Sequence, residues 1–203
     1  MHYLITAGPT HEPIDAVRYI GNRSSGRMGV AIAGAARQAG HRVTLLLGPV
    51  AVEPPEGCDL HRFRTTEDLQ RCLRETFPLC DVLVMAAAVA DFRPTATETG
   101  RKLERTGSMT LSLEATPDLL AEVARDANPR QRIVGFALEE PARLEERAKA
   151  KLARKGLHAI VANPLETMDA PGVRGQIFLA DGTIRRPDGW PSPLPKEHFA
   201  TWL

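Results

Sequence analysis

The sequence has no surplus of charge, few cysteines and no long apolar run, and each shortage removes a class of function. Lys and Arg number 26 against 25 Asp and Glu, a net charge of +1, so no broad field exists to hold nucleic acid or an anionic membrane. Neither is expected as a partner, and any anionic ligand must be held by local groups. Cys58, Cys72 and Cys80 are odd in number, form no C-x-x-C and have no histidine at metal-ligand spacing, the pattern of three reduced thiols. No apolar stretch approaches the roughly 18 residues of a membrane span. The opening MHYLITAGPT carries no basic segment or small-residue cleavage site, so a cytoplasmic location is expected. Internal repeats and low-complexity tracts are also absent.

What is present is an alternation of short apolar runs and helical patterns. HYLITAG and HRVTLLLGPV read as buried parallel strands, and between them GRMGVAIAGAARQAG reads as a helix ended by Gly40. TTEDLQRCLRETFP is a helix with a Thr cap, and CDVLVMAAAVADFRP a third strand running into small residues. TPDLLAEVARDAN predicts a helix with Pro117 at its first position, QRIVGFALE a fourth strand, PARLEERAKAKLARKG a charged amphipathic helix, and LHAIVANP a fifth strand. This order predicts a single α/β domain over 1–203 built on a doubly wound parallel sheet. A polar excursion at about 92–116 predicts a flap, and 165–203 a hairpin turned at Asp181 and Gly182 followed by a short helix.

In such a sheet a ligand sits at the carboxyl ends of the strands, here after Ala7, Leu47, Met85, Val134 and Val161. The loop NRSSGRMG, residues 22–29, falls there. Gly26 and Gly29 permit close backbone approach, and Ser24, Ser25 and free helix N–H groups suit phosphate oxygens; a plain capped helix start has the same look. A dinucleotide fingerprint is missing, because the first turn is AGPTHEP and the second strand ends LLLGPV without an acid, and no G-K-[ST] marks a Walker loop. In AAAVADFRP the alanines suit a flat base or tight core packing, while Asp91 suits ribose hydroxyls or a metal ion. Lys102 lies on the flap, free to fold over a phosphate or to stay solvated. Lys151 and Lys155 share a helix face, and Phe136 is placed to wall a base pocket or to join the core.

ITAGPTHEPIDAVRYIGNRSSGRMG, AAAVADFRP, TPDLL, VGFALE and KLARKGLHAIVANP, in this order over residues 3 to about 164, resemble phosphopantothenoylcysteine synthetase, a Rossmann-like ligase of coenzyme A biosynthesis often fused behind a flavin-dependent decarboxylase. The resemblance implies that 4'-phosphopantothenate and L-cysteine are joined through an acyl cytidylate, with CTP cleaved to CMP and pyrophosphate. It also implies Mg²⁺ with the nucleotide, no flavin in this chain, a homodimer with the flap near the partner subunit, and a free-standing or excised synthetase associated with a decarboxylase. By the same resemblance the nucleotide is bound by the backbone of Met85, Ala86 and Ala87, by Asp91, by the turn Pro117, Asp118, Leu119 and Leu120, and by Phe136, Lys151 and Lys155. Lys102 matches the first lysine of a K-x-K-K motif at the phosphates, and Asn22 the asparagine that handles the acyl intermediate. Ser24, Ser25, Gly26 and Arg27 form the phosphate loop, and Asp91 is the candidate metal contact.

Three departures from the family pattern stand out. KLER replaces K-x-K-K and puts Glu104 where a cation is expected, Arg27 replaces a loop lysine, and the asparagine expected near the start of the final hairpin is missing. The altered flap admits a non-catalytic nucleotide-binding relative as an alternative. A nicotinamide-dependent reductase is opposed by the missing acid after LLLG.

Overall fold

The computed structural model describes residues 1–97, 100–105, 107–168 and 170–203. Parts of the expected flap, at 98, 99 and 106, and position 169 of the C-terminal region lie outside the described residues.

Among the described residues the main sheet has eight strands. They are β1 (His2–Ala7), β2 (Arg42–Leu47), β3 (Asp59–Arg62), β4 (Val82–Met85), β5 (Arg132–Glu139), β6 (Ala159–Pro164), β7 (Gln176–Leu179) and β8 (Ile184–Arg185), in the spatial order β8-β7-β6-β5-β4-β1-β2-β3. β1 to β6 pair in parallel, while β7 and β8 add antiparallel at one edge. The chain winds outward from β1 through β2 to β3, then returns to the other side of β1 at β4. That reversal opens a crevice at the carboxyl ends of β1 and β4. The doubly wound reading therefore holds, with three additions among the described residues: the polar edge strand β3, a small hairpin of His11–Pro13 with Tyr19–Gly21, and a short ribbon of Gly172–Val173 with Leu194–Pro195.

Both faces of the sheet are covered. Ile5, Ala7, Val43, Leu45 and Leu47 pack with Val30, Ile32, Ala33 and Ala36 of α1 (Arg27–Gln38) and with Ala200 of α5 (Lys196–Trp202). On the other face Leu4, Leu46, Leu83, Ile133 and Ile160 meet α2 (Thr66–Thr76), α3 (Leu119–Asp126) and α4 (Leu144–Lys155). This double burial is why the strands are near-continuous apolar runs rather than alternating ones.

Local chemistry sets the helix ends. Thr65 accepts from the N–H of Asp68, whose carboxylate accepts from the N–H of Thr65, a reciprocal cap for α2. For α3 the expected start shifts: Asp118 is the cap, accepting from the N–H of Ala121, and Pro117 stays outside the helix because the carboxylate satisfies a free N–H that Pro117 cannot. α1 has no side-chain cap at all, since Gly26 enters it at a φ of 71°.

Gly29 brings α1 against β1: a Cβ there would stand 2.5 Å from the Cβ of Ala7 and 3.0 Å from the carbonyl oxygen of Thr6. Gly34 on the same helix would meet only Pro55, at 3.8 Å. The same substitution should therefore have opposite effects five residues apart. Gly29→Ala is expected to lose about 1–3 kcal/mol by overpacking, and Gly34→Ala to gain roughly 0.5–1 kcal/mol by helix propensity. Urea denaturation midpoints of the two variants check both signs.

Candidate functional site

A cleft of about 720 Å³ lies at the carboxyl edge of the sheet, over the β1–β4 crevice. Its floor is made by the segment after β4, which is fastened to the exit of β1. Ala87 N–H donates to Thr6 Oγ1 at 3.0 Å, Ala88 N–H to the Gly8 carbonyl at 2.9 Å, and Ala90 N–H to Thr10 Oγ1 at 2.9 Å. Thr6 and Thr10 are fully buried. Because the N–H of Ala87 is used in this way, a base lying on Met85, Ala86 and Ala87 is left with the Ala87 carbonyl as that residue's backbone polar group.

Residues 22–29 form one wall. Asn22 donates its amide N–H to the Val89 carbonyl at 2.8 Å, which fixes the side chain over the floor. Ser24, Ser25, Gly26 and Arg27 follow along the cleft, and the uncapped start of α1 leaves its first N–H groups facing that loop. Phe136 lines the cleft because β5 continues past the end of β4, whose Met85 pairs with Gly135.

The opposite wall comes from α3 and α4. Pro117, Asp118, Leu119 and Leu120 line it with Lys151 and Lys155. Lys155 donates to Asp118 Oδ1 at 2.7 Å, and Lys151 to the Phe136 carbonyl at 2.9 Å. Partial burial opposes ionisation of Asp118, but the bonds from Lys155 and the Ala121 N–H outweigh it and hold the carboxyl below its usual range. Burial first, and the charge of Lys155 second, lower the pKa of Lys151. These lysines thus line the cleft rather than a solvent face. Asp91 is exposed at the cleft, where its charge also acts on Lys151.

Of the expected site residues, only Lys102 is not brought to the cleft. The flap base is a ribbon of Phe92–Pro94 with Leu113–Ala115, tied by Arg93 to Glu114. Residues 101–103 are bound to the turn at 14–18 around buried Asp15. Its carboxylate accepts from the N–H groups of Val17, Arg18 and Leu103 and from the Arg18 guanidinium, and Arg101 accepts from the Ala16 N–H. Lys102 is exposed on this segment.

Sequence reasoning missed Thr116, Asn163, Thr167, Met168, Val173 and Lys196, all of which line the cleft. Asn163 was within reach, since it stands at the carboxyl end of β6. Lys196 had no local signal, because the packing of α5 brings it from the far end of the sequence. Among the described residues no group of three or more His, Cys, Asp or Glu side chains forms a metal cluster, and no helix is long and apolar enough to cross a membrane.

A family model described as the DNA/pantothenate metabolism flavoprotein C-terminal domain matches residues 1–188. The chain is 43% identical over 163 residues to a cysteine/cysteine sulfinic acid decarboxylase from an unknown prokaryotic organism, covering 80% of this chain and 45% of that protein. It is 39% identical over 198 residues to the coenzyme A biosynthesis bifunctional protein CoaBC of Bacillus subtilis (strain 168), covering 96% and 47% respectively. It therefore spans about half the length of these curated relatives. Its fold is similar to the crystal structure of the C-terminal domain of a coenzyme A biosynthesis bifunctional protein CoaBC, with a TM-score of 0.82, 33% identity, and coverage of 98% of this chain and 89% of that one.

The lowered pKa of Lys151 gives a signed expectation. An ammonium strengthens binding of a nucleoside triphosphate below its pKa and stops doing so above it, so affinity should fall as pH rises at values below the ordinary lysine 10.5. Lys151→Arg should hold its affinity across that range, with the two proteins differing by about tenfold at the alkaline end. Calorimetric titration with CTP at a series of pH values checks this.

Proposed function

The chain belongs to the DNA/pantothenate metabolism flavoprotein C-terminal domain family, and on that premise we propose that it is a ligase that joins 4'-phosphopantothenate to L-cysteine at the expense of CTP. The observation that carries the reading is one cleft that gathers residues from five separate stretches: 22–29, 85–91, 117–120, 136, and 151 with 155. The decarboxylase named among the relatives extends well beyond the matched part, so its name does not decide what this half does.

The geometry supports a two-step route. A carboxylate has no good leaving group, so one of its oxygens first attacks the α-phosphorus of CTP, and the bond to the β-phosphate oxygen breaks with departure of pyrophosphate. Lys151, Lys155 and Arg27 offset the charge gathered there. The amine of cysteine then attacks the carbonyl carbon of the acyl cytidylate, loses a proton and expels CMP. Asn22 is held by the Val89 carbonyl through one amide N–H. The second N–H on the same nitrogen is the donor for the oxyanion of that step, a contribution of about 3 kcal/mol.

The donor set fits Mg²⁺ carried mainly by the nucleotide. Asp91 supplies a single exposed carboxylate at the cleft, and Mg²⁺ bound to phosphates needs only one or two. Bound there, it would neutralise phosphate charge. No flavin enters this reading. The substrates imply a cytoplasmic location and a decarboxylase as the enzyme that uses the product, fused or separate. Lys102 enters through a two-fold dimer in which each flap serves the partner's cleft, consistent with the exposed Val17, Tyr19, Phe92 and Leu113 on and beside it.

Pyrophosphate release with phosphopantothenate should show a higher kcat/KM with CTP than with ATP. Release without cysteine but with both other substrates should match one turnover of bound acyl cytidylate. A preference for ATP, or no release with either nucleotide, would overturn the reading.

The dimer makes a separate expectation. Asn22→Asp damages the cleft and Lys102→Gln the flap, so each homodimer should lose most of its activity. Unfolding and refolding the two variants together should restore about a quarter of wild-type activity, through the one intact site of each mixed dimer. No recovery would place Lys102 in its own chain's site or outside the reaction.

A further inference from the structure

The cations on the α4 side of the cleft were legible in the sequence, but the structure adds one from the other face of the sheet. Lys196, the first residue of α5, is only 8% exposed, yet it lines the cleft. Its Nζ donates to the Ala170 carbonyl at 2.6 Å. The placement follows from packing. Phe199, one turn further along, is fully buried with Val161, Val173 and Ile177, and Ala200 joins the apolar layer between α1 and the sheet. These contacts hold α5 on the α1 face and turn the side of the helix that bears Lys196 and Phe199 toward the end of β6.

Asn163 is at that strand end and also lines the cleft. It is 9% exposed, and its Oδ1 is buried without a hydrogen-bond partner. A Cβ built on Gly175 would stand 2.5 Å from both Asn163 Oδ1 and the Phe199 ring, so the asparagine amide and the α5 side chains meet in one corner. With Oδ1 turned into the protein, the amide N–H groups are the polar atoms left for the cleft. An ammonium and amide donors on one wall, with Arg27 at the start of α1 also lining the cleft, form a set that recognises phosphate oxygens. An apolar or cationic ligand would gain nothing from it.

We propose that Lys196 binds a phosphate group in this cleft, supported by the amide of Asn163, on the face of the sheet opposite Lys151 and Lys155. The assignment rests on the ligase reading for the ligand, which supplies two sources of phosphate: the triphosphate of CTP and the phosphate monoester of phosphopantothenate. A lysine that merely tied α5 to the segment at 170 would affect stability and would not distinguish phosphorylated from unphosphorylated ligands.

The test is calorimetric binding, without the second substrate, to the wild-type chain, Lys196→Met and Lys196→Arg. Phosphopantothenate is paired with pantothenate, and CTP with cytidine. Lys196→Met should weaken one phosphorylated ligand by about tenfold or more while leaving its unphosphorylated counterpart unchanged, and Lys196→Arg should restore most of the loss. The ligand that loses affinity identifies the source. Equal affinities throughout, or equal losses for both members of each pair, would overturn the proposal. Should Lys196→Met fail to fold, a crystal structure of the wild-type chain with CTP and phosphopantothenate decides: a phosphate oxygen within hydrogen-bond distance of Nζ supports the assignment, and none within that distance rejects it. A wild-type chain that bound neither ligand would remove both the ligase reading and this one.

Discussion

Two buried threonine hydroxyls hold the floor of the site. Where parallel strands end, the next residues lose their ladder partners, and their N–H groups must be satisfied some other way if the chain is to stay folded over the core. Thr6 and Thr10 do this for the segment after β4, accepting from Ala87 and Ala90. The alanines matter for the same reason. Larger side chains would fill the space above a floor this close to β1. The cleft is therefore a continuation of the sheet's own hydrogen bonding beyond its edge, and the loop 22–29, Asn22 above all, is aligned by contact with that floor.

The walls differ electrostatically. On the α4 side Lys155 is already matched by Asp118, a carboxylate that also caps α3. The pair keeps the Lys155 ammonium from standing uncompensated at the cleft. Lys151 donates to a carbonyl instead of a carboxylate, and its burial beside Lys155 makes it harder to keep protonated. The two lysines look equivalent in sequence, four residues apart on one helix face, but they have different partners.

The sequence made five of the parallel strands and the five α-helices legible because both rest on local patterns: apolar runs closed by Gly or Pro, and caps followed by amphipathic stretches. β3 was not visible because DLHR is a polar edge strand with one neighbour. The hairpin at 11–21 escaped notice because its strands are only three residues long and its turn, closed around Asp15, is braced by the distant 101–103 segment and by α2. For the site, most residues belong to loops that follow strands and could be placed by topology. Lys102 could not, since Asp15, some ninety positions earlier, fixes where its segment lies. Nor could Lys196, whose position is a result of how Phe199 packs.

The asparagine expected near the start of β7 is absent, and Gly175 stands just before that strand. The room a side chain would need there is taken by the ring of Phe199 and the amide of Asn163. Positions 175 and 199 are thus alternative fillings of one volume, so neither can change freely while the other stays. A variant of this chain with a side chain at 175 would first need a smaller residue at 199, and that change would loosen the helix that carries Lys196. The order in which such substitutions could accumulate is set by that shared space.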